Sequence, residues 1–152
     1  MTPHDLLQFL RTQRLAVQTS VSASGRPQAA VVGIAVSDRF EIVFDTLAST
    51  RKAVNFRQNP NAAIVVGGLT DGDERTAQID GIADEPSGEE LECLKGVYYD
   101  VYPDGPSRLS WPGLIYFRVR PNWIRFSDYT QEPPLIVEFT REQLGGSGHR
   151  AG

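Results

Sequence analysis

The chain has 152 residues, 40% of them hydrophobic, and a formal net charge of −4, which suits one domain with a real core and argues against a nucleic-acid protein, since a phosphate backbone asks for a basic face. One cysteine, Cys93, cannot close an internal disulfide, and no stretch has the charged start, apolar run and cleavage site of a secretory signal. The longest apolar runs are interrupted and fall far short of the roughly 20 residues that span a bilayer, so the expected setting is the cytoplasm, away from membranes.

Thr2 is placed to cap a first helix that has Pro3 at its first position, and Leu6, Leu7 and Leu10 then share a face up to about Arg11. From Leu15 the period changes to two. Leu15–Ser20, Gln28–Ser37 and Phe40–Thr46 read as antiparallel strands joined by Ser24-Gly25-Arg26-Pro27 and Ser37-Asp38-Arg39. In the third, Phe40, Ile42 and Phe44 are expected to face the core, and Glu41, Val43 and Asp45 the solvent. Ser49 or Thr50 caps a second helix that ends at Asn59-Pro60, because proline disfavours helical geometry in the residue before it. Ala62–Val66 and Arg75–Ala83 read as strands around a glycine-rich turn over Gly67–Glu74. Pro86-Ser87-Gly88 opens a third helix with Leu91, Leu94 and Val97 on its apolar side, where Cys93 reads as a small buried filler. Tyr98–Gly113 is expected to be an ordered loop, Leu114–Arg120 with Asn122–Ser127 a hairpin, and Leu135–Phe139 a short strand. The domain is read as residues 1–140, with 141–152 as a flexible tail. About seven strands with short connections and few crossover helices favour a mainly β, antiparallel barrel.

The stretch that carries chemistry runs from Phe44-Asp45-Thr46 through Ser49-Thr50-Arg51-Lys52, a strand end leading into a helix start. Amides at a helix start have no partner within the helix, so an anion placed there is hydrogen-bonded and meets the positive end of the dipole. Arg51 and Lys52 are electrostatically misplaced in a first helical turn unless an anion offsets them, and the hydroxyls of Thr46 and Thr50 can add hydrogen bonds. A capped surface helix with two solvated cations accounts for the local pattern equally well. Nothing else in the sequence competes. His4 and His149 lie near opposite ends, and there is no Walker loop, Gly-x-Gly-x-x-Gly run or hydrolase motif.

Phe44-Asp45-Thr46, Thr50-Arg51-Lys52 and Asn59-Pro60 together resemble the FMN-binding signature of the pyridoxamine 5′-phosphate oxidase family, which has an FMN-binding split β-barrel. Asp45 departs from the family's tyrosine, which leaves a contact through its backbone. The resemblance implies that Thr46, Ser49, Thr50, Arg51 and Lys52 hold the FMN phosphate and ribityl chain, and that Ala30, Val31, Val32 and Gly33 line the ring. The small residues Val31, Gly33 and Ala35 would let a flat ring lie close, although tight packing against protein explains them as well. Arg75–Ala83 resembles a further family strand, with Thr76 where a flavin-contacting Gln is usual, and Phe117–Phe126 resembles the family's last hairpin. The family's Arg- and His-containing substrate segment is missing, because Tyr129–Phe139 contains neither residue. The resemblance therefore implies a short flavoprotein, a homodimer with flavin across the interface and a small-molecule substrate, rather than a vitamin B6 oxidase. Two alternatives stay open: a deazaflavin enzyme, for whose longer acidic tail Arg57 and Arg75 could serve, and a flavin- or haem-binding module without turnover.

Overall fold

A computed structural model describes residues 1–145. Helix α1 (Pro3–Thr12) starts on a reciprocal cap in which the Thr2 hydroxyl accepts from the Asp5 amide and the Asp5 carboxylate accepts from the Thr2 amide at 2.7 Å. It buries Leu6, Phe9 and Leu10.

Strands β1 (Leu15–Val21), β2 (Pro27–Gly33), β3 (Ala35–Val36), β4 (Ile42–Leu47), β5 (Asn61–Gly67), β6 (Arg75–Asp84), β7 (Leu114–Asp128) and β8 (Leu135–Thr140) form one sheet. All its pairings are antiparallel. The strand order is β2-β1-β5-β6-β7-β4-β3, with β8 added to β7. The two ends of that order, β2 and β3, are consecutive in the chain and separated only by Ile34. One residue cannot cross a flat sheet of this width, so the sheet has to curl until its edges meet at Ile34. The corner is held where the buried Ile34 amide donates to the Arg14 carbonyl at 2.9 Å. Away from it β2 and β4 are not paired, which makes the barrel a split one.

This is where the expected strand Gln28–Ser37 proves to be two. The expected strand from Phe40 begins at Ile42 instead, because Phe40 adopts a left-handed φ of 65° in the turn that follows Ser37. The expected alternation of β4 also fails. Ile42, Val43 and Phe44 are all buried, since one face meets the barrel core and the other meets helix α3 (Gly88–Val101). Phe44, Phe56 and Phe117 meet in the barrel core, while Val43, Leu94, Tyr98 and Tyr116 form a second layer under α3.

The expected hairpin at Pro121 is one continuous strand. Pro121 faces Gly81, and Asn122 is the extra residue of a bulge, so the missing N–H falls where the ladder is already interrupted. Helix α3 runs through Tyr98 and Tyr99, and a 3-10 helix covers Gly105–Ser110, so most of the expected loop is helical. Cys93 is exposed on α3 and not a buried filler. Helix α4 (Arg141–Gly145), with Leu144 buried, occupies the start of the expected tail, whose remainder lies outside the described residues. Among the described residues no helix is long and apolar enough to cross a membrane.

Candidate phosphate-binding corner

Helix α2 (Arg51–Gln58) follows β4 after a short turn and lies over the inward face of β1. Its N-cap residue is Thr50, whose hydroxyl donates back to the Leu47 carbonyl at 2.8 Å and so does not cap. The first backbone bond of the helix is that from the Val54 amide to the Thr50 carbonyl. The amides of Arg51, Lys52 and Ala53 therefore have no partner among the described residues. The Thr46 and Thr50 hydroxyls lie 3.0 Å apart. The proton of Thr50 is engaged by Leu47, so Thr46 donates to Thr50, and both would rotate to serve an incoming anion.

Arg51 and Lys52 enter no ion pair among the described residues. Lys52 is half-buried, and that burial pushes its ammonium below the ordinary lysine range. A cation partly withdrawn from water beside three open amides is a site that favours an anion. Ser49 is exposed in the same turn.

Phe44 is buried in the core, so its side chain is not available at this corner, and Thr46 supplies the strand's polar group there. Asp45 points the other way, toward α3. Its carboxylate accepts from Arg108 Nε at 2.9 Å, with the two side chains 17% and 15% exposed. Arg108 also donates to the Tyr98 hydroxyl and to Asp104. Burial raises the Tyr98 and Tyr116 phenols well above the ordinary tyrosine value, with the Asp45 charge adding at Tyr98 and the Tyr99 hydroxyl at Tyr116. The hydrogen bond to Asp45 raises the Arg108 guanidinium. Arg108 was not legible as a site neighbour, because it lies in a Pro- and Gly-rich segment and the face of β4 that carries Asp45 was expected to meet solvent.

Ala30 and Val31 are exposed on both faces of β2, Val32 is buried and Gly33 half-buried. At Gly33 the small residue is explained by protein packing: an added Cβ would lie 2.7 Å from the Tyr102 hydroxyl, which donates to the Arg14 carbonyl. Thr76 is elsewhere. It pairs with Ser127 near the far end of β7, whereas Thr46 pairs with Ile115 near its start. Within one chain, then, Thr46, Thr50, Arg51 and Lys52 come together and Thr76 does not join them. The other two cations considered for a longer anionic tail are engaged, Arg57 by Glu85 at 2.6 Å and Arg75 by Asp73 at 2.9 Å.

A cleft of about 790 Å³ lies away from this corner, between α1, β3 and α3, with Ile34, Ala35 and Val97 on its walls and Cys93 at its side. Three arginines line it: Arg118 is held by Asp84, Glu41 and Glu90, Arg11 by Asp38, and Arg39 is the third. No group of His, Cys, Asp and Glu among the described residues is arranged to hold a metal ion.

Three solved structures show the same fold at low identity. A haem-binding protein from Mycobacterium smegmatis superposes with a TM-score of 0.76 at 16% identity, over 92% of this chain and 60% of that one. A pyridoxamine 5′-phosphate oxidase-related, FMN-binding protein from Nostoc punctiforme gives 0.68 at 14% identity, over 90% of this chain and 87% of that one. The haem storage protein from Vibrio cholerae gives 0.67 at 18% identity, over 80% and 91%. The chain thus spans less than two thirds of the Mycobacterium smegmatis protein's length. No curated protein matches the sequence. The family model for pyridoxamine 5′-phosphate oxidase matches residues 2–127, and with the split barrel this shows that the chain belongs to the pyridoxamine 5′-phosphate oxidase family.

Proposed function

We propose that this protein binds FMN by its phosphate at the start of α2 and is an oxidoreductase acting on a small molecule. The observation that carries the reading is the uncapped helix start, with the amides of Arg51, Lys52 and Ala53 open beside two cations that have no carboxylate partner among the described residues. FMN when bound supplies hydride or electron transfer, and the chain's part is to hold, orient and shield it. Arg51 and Lys52 neutralise the phosphate, Thr46 and Thr50 turn their hydroxyls to it, and Ala30 and Val31 on the open strand leave room for a flat ring. FMN is favoured over a deazaflavin because Arg57 and Arg75 are held by their own carboxylates.

A second copy of the chain belongs to this reading. Thr76 pairs near the opposite end of β7 from Thr46 and so does not join the α2 corner within one chain, and the outer face of β2, β1 and β5 presents Val31, Val17 and Val65 in one row, with Val31 58% exposed. An apolar row of that kind is suited to a homodimer in which each ligand is shared.

The Arg51→Ala/Lys52→Ala variant tests the phosphate site. Two charge-assisted contacts at about 1.5–3 kcal/mol each predict a loss of FMN affinity of roughly 100-fold or more, read by flavin fluorescence, with the melting temperature of the ligand-free protein unchanged. Wild-type affinity in that variant overturns the assignment. A non-catalytic module is the second reading, favoured by the two haem-binding neighbours. Tight ligand binding without NAD(P)H oxidation by any acceptor selects it.

A further inference from the structure

The cleft between α1, β3 and α3 combines an apolar stripe with an excess of carboxylates. Glu90, Leu94, Val97 and Val101 recur at helical spacing, so they share one face of α3, and all four line the cleft. The corner where the sheet closes adds Ile34 and Val36, both buried. Five carboxylates line the cleft against three guanidiniums. Arg11 is engaged by Asp38 at 2.8 Å and by the Val36 carbonyl at 3.1 Å. Arg118, 5% exposed, is divided among Glu41 at 3.2 Å, Glu90 at 3.5 Å and Asp84 at 2.7 Å, the last shared with Arg120 at 2.8 Å. Two guanidiniums thus meet three carboxylates at that point. Glu41 is fixed from both sides, because its other oxygen accepts from the Ser37 hydroxyl at 2.9 Å. Glu90 makes the longest of these contacts and is 64% exposed, so it is the carboxylate free to turn to a ligand. Arg39 leaves one positive charge on the exposed turn after β3, while Glu89 and Asp100 in the lining enter no ion pair among the described residues.

We propose that this cleft binds an organic cation, an ammonium group carried on an aliphatic body, with the ammonium at Glu90 and the body along Leu94 and Val97. From Glu90 to Val97 the helix rises about 10 Å, the scale of a short alkyl chain with its ammonium. The sign of the charge follows from the lining. A cation relieves the repulsion among carboxylates that outnumber their guanidiniums, whereas an anion would add to it and would find Arg118 already engaged. Apolar walls with a few convergent polar groups are the usual make-up of a small-molecule site, and about 790 Å³ is within the usual size. The site is independent of the phosphate-binding corner at α2.

Cys93, the single cysteine of the chain, is exposed and lines the cleft, so its thiol reports whether the cleft is filled. The test follows the rate at which the neutral reagent iodoacetamide alkylates Cys93 in the full chain, with three probes that share a body and differ in charge: hexylammonium, hexanol and hexanoate, each also titrated by calorimetry. Hexylammonium is expected to slow the alkylation saturably and to bind at least about tenfold more tightly than hexanol, with hexanoate weakest. Glu90→Gln, at an exposed position, is expected to lose about tenfold in hexylammonium affinity and to leave hexanol unchanged. Val97→Lys brings a cation of its own into the cleft and is expected to abolish the protection by hexylammonium, which keeps the test open where Glu90→Gln does not fold. The Arg51→Ala/Lys52→Ala variant is expected to respond as the wild type does. Equal affinity for hexylammonium and hexanol, or wild-type hexylammonium affinity in Glu90→Gln or Val97→Lys, overturns the proposal and leaves an apolar groove only. Absence of any protection of Cys93 by hexylammonium, or its loss in the Arg51/Lys52 variant, overturns it as well, because the cation then does not sit in this cleft.

Discussion

The ion pair between Arg108 and Asp45 ties the 3-10 segment to the end of β4, and its strength can be measured apart from any ligand. Both side chains are less than a fifth exposed, so the pair is only weakly screened by solvent. Arg108→Met keeps the stem that packs on Tyr98 and removes the charge, leaving the Asp45 carboxylate partly buried beside the Tyr98 hydroxyl. Fully buried pairs cost about 3–5 kcal/mol to break from one side, and the residual exposure here lowers the expectation to about 2–3 kcal/mol. For a domain of this size that amounts to a fall in melting temperature of roughly 4–12 °C. Asp45→Asn keeps an acceptor for Arg108, which also retains Asp104, so it should cost about 1 kcal/mol less than Arg108→Met. In the double variant no charge is stranded, and its loss should fall short of the sum by at least about 1 kcal/mol. Urea unfolding of the four proteins at neutral pH measures that coupling. Additivity to within about 0.5 kcal/mol would refute the claim that the two charges sustain each other.

Gly81→Ala should destabilise by about 1–3 kcal/mol in the same assay, because its Cβ would lie 2.6 Å from the Arg120 carbonyl oxygen, a backbone atom at the bulge that cannot swing aside. Stability should also fall in acid. Hydrogen bonds from the Arg75 side chain and amide hold the Asp73 carboxyl at about 2, below its ordinary 3.8, so the unfolded chain takes up the proton first. This contribution is complete above about pH 4 and is lost as the pH falls toward about 2; Asp73→Asn should flatten that part of a stability–pH profile, and an unchanged slope would remove the role given to the pair.

What was legible in the sequence was what local physics decides. The Thr2 cap, the period of β1, the stop of α2 at Asn59-Pro60 and the glycine-rich turn before β6 are each set by a few neighbouring residues. What was not legible came from contacts distant in sequence. Val43 was expected to face solvent because a strand alternates, but α3 covers that face, and no pattern within β4 reports a helix some fifty residues further on. Pro121 ordinarily ends a strand, and here it sits at a bulge opposite Gly81, where the ladder is already interrupted and the Arg120 carbonyl lies close against the glycine. Tyr98 and Tyr99 looked like loop aromatics because Pro103, Gly105 and Pro106 follow closely, yet packing on Tyr116 extends the helix through both. The small residue at Gly33 reads either as room for a flat ligand ring or as tight packing against protein, and the structure shows the protein's own Tyr102 packed there.

The candidate site shows the same division on a finer scale. Along β4 the side chains of Asp45 and Thr46 leave on opposite faces. Thr46 meets Thr50 at the helix start, and Asp45 meets Arg108 in the layer under α3. A side chain placed by strand alternation away from the α2 corner cannot also reach it, so the family's tyrosine position is here committed to holding the 3-10 segment, and only the Asp45 backbone is left to the ligand side. On the proposed reading, the burden of holding a phosphate falls on Arg51, Lys52 and the open amides of α2. Because those groups act through charge and through backbone, the corner should tolerate Thr46→Val far better than loss of Arg51 and Lys52: about a fewfold loss of FMN affinity for one neutral hydroxyl, worth about 0.5–1.5 kcal/mol, against roughly 100-fold or more for the two cations. A Thr46→Val variant as defective as the double alanine variant would mean that the hydroxyl pair, and not the helix start, is the centre of the site.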